Sequence, residues 1–339
     1  MSISERFRID AHIHLSGDDE QTLEFLEELD LRLLNICVAH GEWRSRKHAV
    51  YRDLAASHPQ RYAWATSFDL PDWSVSERDY ADLVIEALDR DVNDGAVAVK
   101  AWKNIGMELR RPDGSFALID DAIFDPIYRH LAHIGVPMIM HIGEPLACWL
   151  PIEVASPHQS YYRGHPEWHM HGRSDIPSHA QLISARDRVL ERHPRLRVVG
   201  AHLGSLEHDV AEVASRLDRY PNFAVDISAR LSDLAAQDPK TVRDFFLAYQ
   251  DRIIFGTDVV TDARSSSLSR EHRAALERSL RETYDRYFRY LETSELLGLD
   301  EPASPGLDEP ASPGLALPDE VLDRIYVENA RGWFPGLAG

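Results

Sequence analysis

Eight short runs of apolar and β-branched residues recur along this chain, most of them followed by a stretch of helical periodicity, and no other feature narrows the fold as much. The runs are 8–14 (RIDAHIH), 33–39 (LLNICVA), 62–67 (YAWATS), 95–100 (GAVAVK), 136–141 (VPMIMH), 197–202 (RVVGAH), 223–228 (FAVDIS) and 253–258 (IIFGTD). Helices are expected over 19–30, 44–57, 76–91, 121–134, 178–193, 206–219 and 239–250, with a last one over 319–332. Asp238 before Pro239 has the pattern of an N-cap followed by a first-turn proline. Near-continuous apolar strands between helices imply a parallel sheet covered on its outer face, and eight such units close into a (β/α)8 TIM barrel. A doubly wound open sheet is the structural alternative. With 339 residues, 44% of them hydrophobic, the chain can fill the core of a single barrel domain over 1–339.

Two segments interrupt the rhythm. Residues 142–177 are too long for a plain connection and are read as a lid-like or binding loop. Residues 259–318 form an insertion: a helix-like stretch at 269–297, rich in Arg and Glu, then the octapeptide GLDEPASP twice, at 298–305 and 306–313. Pro, Ser, Gly and acids cannot bury a core, so the repeat reads as an exposed linker.

A formal charge of −19 argues against nucleic acid or an anionic membrane as partner, and is compatible with a local basic pocket for a small-molecule substrate. The N-terminus has no apolar leader and no run of 18 apolar residues occurs, so a cytoplasmic location is expected. Cys37 and Cys148 lack both a disulfide framework and metal-site spacing and read as core thiols.

Active sites of such barrels lie at the C-terminal ends of the strands. Strand one ends in His12 and His14, strand five in His141, strand six in His202 and strand eight in Asp258. In an extended strand Asp10, His12 and His14 would share one face. Each residue alone has an ordinary reading: H-x-H triplets are common, a lone histidine is usually a hydrogen-bonded core residue, and an aspartate before a helix is usually a cap. Five groups of ligand type at the same end of different strands are the donor set of a catalytic divalent metal, Zn²⁺ first, with Mn²⁺ or another divalent ion left open.

With DAHIHL (10–15), PMIMHIGEP (137–145), VVGAHLGSL (198–206), IIFGTD (253–258) and ENARGWF (328–334), the sequence resembles the amidohydrolase superfamily over nearly its whole length. The likeness is to the amidohydrolase-related branch, which includes aminocarboxymuconate semialdehyde decarboxylase and lactonases of aromatic catabolism. The resemblance implies that His12, His14, His141 and Asp258 hold one divalent metal. It also implies that His202 orients the attacking water or the substrate, or binds a second ion if one is present. Asp258 would act as ligand and proton acceptor, with His202 as acid or base. Hydrolysis of an ester, lactone or amide of a small carboxylated or cyclic substrate follows, with non-oxidative decarboxylation as the alternative, because both chemistries use the same ligands. A barrel that binds a metal without catalysis is a third reading.

Lys100 ends strand four and is one of only four lysines, against thirty-three arginines. The resemblance implies a substrate-binding cation here, with a carboxylated, metal-bridging lysine as an alternative; a structural ion pair is the third reading, since a buried lysine must be paired or neutralised. The long loop offers Trp149, His158, Tyr161, Tyr162, Arg163 and Trp168; aromatic walls with a few cations suit a planar or carbohydrate-like acid. Trp149 and Trp168 read equally well as packing that seats the loop. Arg230 and Asp69, just past strands seven and three, are further pocket candidates. His165, His169 and His171 are read as lid histidines rather than a second metal site. A homodimer using the 259–318 insertion is an open possibility.

Overall fold

The computed structural model describes residues 6–38, 42–261, 269–298 and 311–337, with the backbone alone at 42–46 and 270. Nine strands form one sheet: β1 (Arg8–Leu15), β2 (Leu31–Ile36), β3 (Tyr62–Ser67), β4 (Ala96–Ala101), β5 (Met138–Met140), β6 (Val198–Gly200), β7 (Phe223–Asp226), β8 (Ile253–Ile254) and β9 (Val260–Thr261). Their order is β8-β7-β6-β5-β4-β3-β2-β1-β9, with every pairing parallel. β8 and β9 are two pieces of one eighth strand, the first paired with β7 and the second with β1. Between them the Ala11 amide donates to the Phe255 carbonyl at 3.0 Å and the His14 amide to the Val259 carbonyl at 2.8 Å. The sheet therefore closes on itself as a (β/α)8 barrel, and the open-sheet alternative falls.

Helix starts follow the local chemistry. Asp238 accepts from the Thr241 amide at 2.8 Å ahead of Pro239–Ala248, as its pattern predicts, and Ser178 with Gln181 forms a capping box at the start of His179–Arg192. β1, β3 and β4 match their apolar runs to within a residue, whereas the later strands are shorter than theirs. β5, β6 and β8 stop before His141, His202 and Asp258, because the backbone turns out of the sheet there to present these side chains. The run at 33–39 pairs over Leu31–Ile36 instead, and Ala39 lies outside the described residues.

Two bulges set which side chains face inward. Between Asp10 and Ile13 three steps of β1 match two of β2, and between Ala96 and Val99 three steps of β4 match two of β3. An extra residue reverses the in-out alternation beyond it. Ile9 and Ala11 accordingly belong to the barrel-interior cluster while Ile13 and Leu15 face the helices, which turns His12 and His14 inward. Ala98 packs inside while Val99 and Ala101 pack outside, which turns Lys100 inward. The expectation that Asp10 shares a face with the two histidines is corrected. Asp10 points outward, accepting from the Tyr284 hydroxyl at 2.8 Å and from the Thr257 hydroxyl at 2.6 Å.

Much of the interior is built of small residues, Ala11, Ala63, Ala65, Ala98, Ala201 and Ala224 among them, with room for Ile9, Leu34, Ile36, Ile139 and Ile254. Ala330, Phe334 and Leu337 join that cluster beside Phe7, so the C-terminal segment plugs the end of the barrel opposite His12 and His14. The helix within the insertion, Arg270–Glu292, buries Tyr284, Tyr287, Phe288, Tyr290 and Leu291 against the barrel. Beyond it Leu296–Gly298 (β10) pairs antiparallel with Ala311–Pro313 (β11); residues 299–310, most of the repeated octapeptide, lie outside the described residues. The 142–177 segment carries a short helix, Gln159–Gly164, and is seated by buried Cys148, Tyr162 and Met170. His158 Nε2 ties it to Asp233 at 2.9 Å. Among the described residues no helix is long and apolar enough to cross a membrane.

Candidate metal centre and active site

The C-terminal mouth of the barrel holds a cavity of about 320 Å³. His12, His14, His141, His202, Asp258 and Lys100 all line it, so the strand-end residues singled out in the sequence meet in one place. Among the described residues Val38, Val260, Trp102 and Lys103 also line it.

Asp258 is at the centre of the polar cluster. One carboxylate oxygen lies 3.2 Å from His14 Nε2 and 3.5 Å from His12 Nε2, and the other lies 3.8 Å from His202 Nε2. The aspartate reaches this position through a left-handed backbone, φ 60°, with its amide donating to the His12 carbonyl at 2.7 Å. Gly256 just before it has to be glycine, since a Cβ there would lie 2.8 Å from that of His12. Burial alone would raise the Asp258 carboxyl; the surrounding His14, His202 and His12 overcome it and hold the group below the ordinary carboxylate range.

His12 uses both ring nitrogens. Its Nδ1–H donates to Asp226 at 2.8 Å, which leaves the Nε2 lone pair facing His14 and Asp258. Asp226 ends β7, accepts as well from the His202 amide at 2.9 Å, and is held below its ordinary range by His12 and His202 in spite of burial. His202 places Nδ1 2.9 Å from the Ser228 carbonyl. A carbonyl can only accept, so the proton is assigned to Nδ1, and Nε2 carries a lone pair toward Asp258. Burial, reinforced by Arg230, lowers this imidazole to about 3.

His12, His14 and Asp258 each offer a ligand atom within 4.8 Å of the others. His141 stands apart from that trio, its ring 4.4 Å from that of His202, and its Nε2 is buried with no hydrogen-bond partner among the described residues. An orphaned imidazole nitrogen beside two further imidazoles and a carboxylate is what a divalent cation would satisfy, so these residues fit such an ion. The second trio, His12, His202 and Asp226, is joined through the Ser228 hydroxyl instead. Ser228 Oγ donates to Asp226 at 2.5 Å and lies 3.0 Å from Nδ1 of each histidine, so these groups already satisfy one another as a hydrogen-bonded hub.

The remaining candidates divide. Lys100, 2% exposed, reaches to 3.3 Å from His12 Nε2; burial pulls its ammonium down to about 8 against the opposing pull of Asp226 and Asp258. Arg230 is buried, donating to the Ala229 carbonyl at 2.6 Å and lying 3.9 Å from Asp233, and is not among the cavity-lining residues. Trp149 is outside the lining as well: its indole N–H donates to the Pro177 carbonyl at 3.1 Å, which packs the loop. Arg163 and Asp69 are exposed. His169 and His171 are bonded to the Leu150 and Trp149 carbonyls and His165 stacks on Tyr161, and none joins a ligand grouping among the described residues. Sequence reasoning passed over Asp226, Ser228, Trp102 and Lys103. The D-x-S of FAVDIS repeats the two-residue spacing of H-x-H at the end of a strand and was the available signal. Lys103 pairs with Glu144 and lies 4.8 Å from the Trp168 ring.

Residues 9–336 match the family model described as Amidohydrolase. The chain belongs to that amidohydrolase family. A search of curated proteins gives no match. Among solved structures this amidohydrolase is similar to 2,6-dihydroxybenzoate decarboxylase from Rhizobium, at 17% identity and TM-score 0.54 over 97% of this chain and 99% of that one. It is also similar to 4-oxalomesaconate hydratase from Rhodopseudomonas palustris, at 13% identity and TM-score 0.53 over 98% and 96%. A third is a probable 2-pyrone-4,6-dicarboxylic acid hydrolase from Acinetobacter baumannii, at 10% identity and TM-score 0.51 over 97% and 100%. At these identities the likeness bears on the barrel fold, and the reaction has to be argued from the site.

The hub gives the first prediction. Asp226→Asn leaves His12 Nδ1 facing an amide of either polarity in place of a carboxylate, and is expected to weaken divalent-metal binding roughly 10–100-fold. Calorimetric titration of the metal-free protein with Co²⁺ measures it; an unchanged affinity would show that Asp226 does not orient His12.

Proposed function

We propose that this amidohydrolase is a hydrolase using one divalent metal, Zn²⁺ in the first instance, to cleave an ester, lactone or amide in a small carboxylated or cyclic substrate. His12, His14, His141 and Asp258 would hold the ion, which when bound supplies a Lewis acid and lowers the pKa of water. The observation that carries the reading is the orientation of His202: Nδ1–H is committed to the Ser228 carbonyl, so Nε2 enters the cavity as a proton acceptor beside the Asp258 carboxylate. Both are weak bases in the absence of an ion, so two acceptors side by side suit removal of a proton only from a water whose pKa a bound ion would lower. His202 would take that proton at Nε2 and pass it to the leaving oxygen or nitrogen, while the carbonyl of Ser228 holds the ring in place. Lys100 lines the same cavity and favours an anionic substrate, with Lys103, paired with Glu144, beside it and Trp102 offering an apolar wall.

One observation favours decarboxylation as a second reading. The Lys100 ammonium, lowered to about 8, is an acid of suitable strength to deliver a proton to carbon. The metal-loaded protein, offered a panel of lactones and of hydroxybenzoates in ¹⁸O-water, separates the two by product mass. Gain of one labelled water supports hydrolysis; loss of carbon dioxide with no water gained would replace it with the lyase reading.

A further inference from the structure

His202, Leu203 and Ser205 have φ of 57°, 57° and 58°, and Gly204 between them has 65°, so four consecutive residues lie in the left-handed region. Residues with a Cβ avoid that region because the side chain crowds the backbone carbonyl, and such a turn persists only where its surroundings over-determine it. Here two side chains of the helix His179–Arg192 grip the turn. Arg186 donates through Nη1 to the Gly204 carbonyl, and His179 Nε2 lies 2.8 Å from the Ser205 carbonyl. Arg186 is fully buried, stacked 4.7 Å from the Phe223 ring and paired with Asp187 at 2.7 Å. The fit leaves no slack, since a Cβ on Gly204 would meet Arg186 Nη1 at 2.8 Å and one on Gly200 would meet the Phe223 ring at 2.6 Å. Neither Arg186 nor His179 lines the cavity.

We propose that Arg186 and His179 are positioning residues that clamp the turn 202–205 and thereby keep the His202 ring seated on the Ser228 carbonyl with Nε2 turned into the cavity. The clamp rests on the proposed function only for the importance of His202; its effect on the ring can be read directly. If helix His179–Arg192 releases the turn, the backbone relaxes toward ordinary φ, the ring leaves the carbonyl, and nothing then favours one nitrogen for the proton.

The test uses the full chain labelled with ¹⁵N-histidine, in which two-bond nitrogen–proton correlations report which ring nitrogen is protonated. The His202 signals are identified by their loss in His202→Asn. The intact protein is expected to show a single tautomer with the proton on Nδ1. Arg186→Met keeps the bulk of the side chain and leaves Asp187 paired with Arg216 at 3.3 Å. It is expected to move the His202 shifts toward the average of both tautomers, while Co²⁺ affinity falls by much less than the roughly 10–100-fold that accompanies loss of a ligand-orienting partner. Asn222→Ala is the control: it removes three bonds, at 3.0–3.3 Å, to the carbonyls of Leu190, His193 and Leu196 at and just past the C-terminal end of the same helix, without touching the turn. If Arg186→Met does not fold, His179→Phe, which keeps a ring and loses the donor to Ser205, takes its place. Unchanged His202 shifts in the folded variant, or equal shifts in Asn222→Ala, overturn the proposal. Absence of hydrolysis in the intact protein, with the shifts behaving as described, would count against the proposed function and leave the clamp standing.

Discussion

His12→Ala is expected to lose more than about 100-fold in divalent-metal affinity, beyond what removing an outer partner costs, and to lose hydrolysis with it. The size of the effect follows from the double use of the ring. Nε2 faces His14 and Asp258, and Nδ1 binds Asp226, so truncation removes one donor of the candidate ligand set and leaves a buried carboxylate without its imidazole partner. The His202 amide and the Ser228 hydroxyl still satisfy Asp226, so the barrel is expected to fold. Thermal unfolding with and without Co²⁺ provides a second readout. An ion at 100 times its dissociation constant stabilises the folded state by about 2.7 kcal/mol, and the variant is expected to show almost none of this gain. A dissociation constant within tenfold of the intact protein would remove His12 from the ligands and the metal centre with it.

The barrel was legible because apolar periodicity survives in each strand whatever its neighbours do. Ile9, Ile139, Val199 and Ile254 are interior residues by composition and by position alike. The convergence of His12, His14, His141, His202 and Asp258 was legible for a related reason: the ends of parallel strands in a closed barrel all lie at one mouth, so position along the chain translates into position in space. What could not be read was orientation. Alternation places Asp10 beside His12, and only the extra residue in β1, visible when β1 is paired with β2, separates them. The bulge in β4 likewise separates Ala96, which packs outside, from Ala98, which packs inside, while Lys100 lines the mouth as its place at the strand end implies. Nor does composition distinguish a tryptophan that lines a cavity from one that seats a loop. Trp102, two residues past Lys100, does the first, and Trp149, which drew more attention in the sequence, does the second.

Left-handed residues follow three of the strands that feed the site: His202 after β6, Ala229 after β7 and Asp258 between β8 and β9. Each is tied to something outside its own strand. The Ala229 amide donates to the Tyr287 hydroxyl at 2.8 Å, and Tyr284 on the same helix bonds Asp10 behind the two N-terminal histidines. The insertion after the eighth strand thus supports the mouth from behind through two tyrosines, a use its Arg- and Glu-rich sequence does not advertise.

These backbone constraints decide the variant that tests His202. Asparagine tolerates left-handed φ better than other residues with a Cβ, so His202→Asn can keep the turn, and its side-chain amide can still donate to the Ser228 carbonyl. What it lacks is Nε2. If His202 accepts the proton of the attacking water, turnover is expected to fall by about 10²–10⁴, the usual contribution of a general base. Metal affinity should stay within a few-fold of the intact protein, because none of the four proposed ligands is altered. The two readings of the residue therefore separate on one pair of measurements. A large loss of kcat with the metal retained identifies a base; a parallel loss of metal would make His202 a ligand, and an unchanged kcat would pass the proton-accepting role to Asp258 alone.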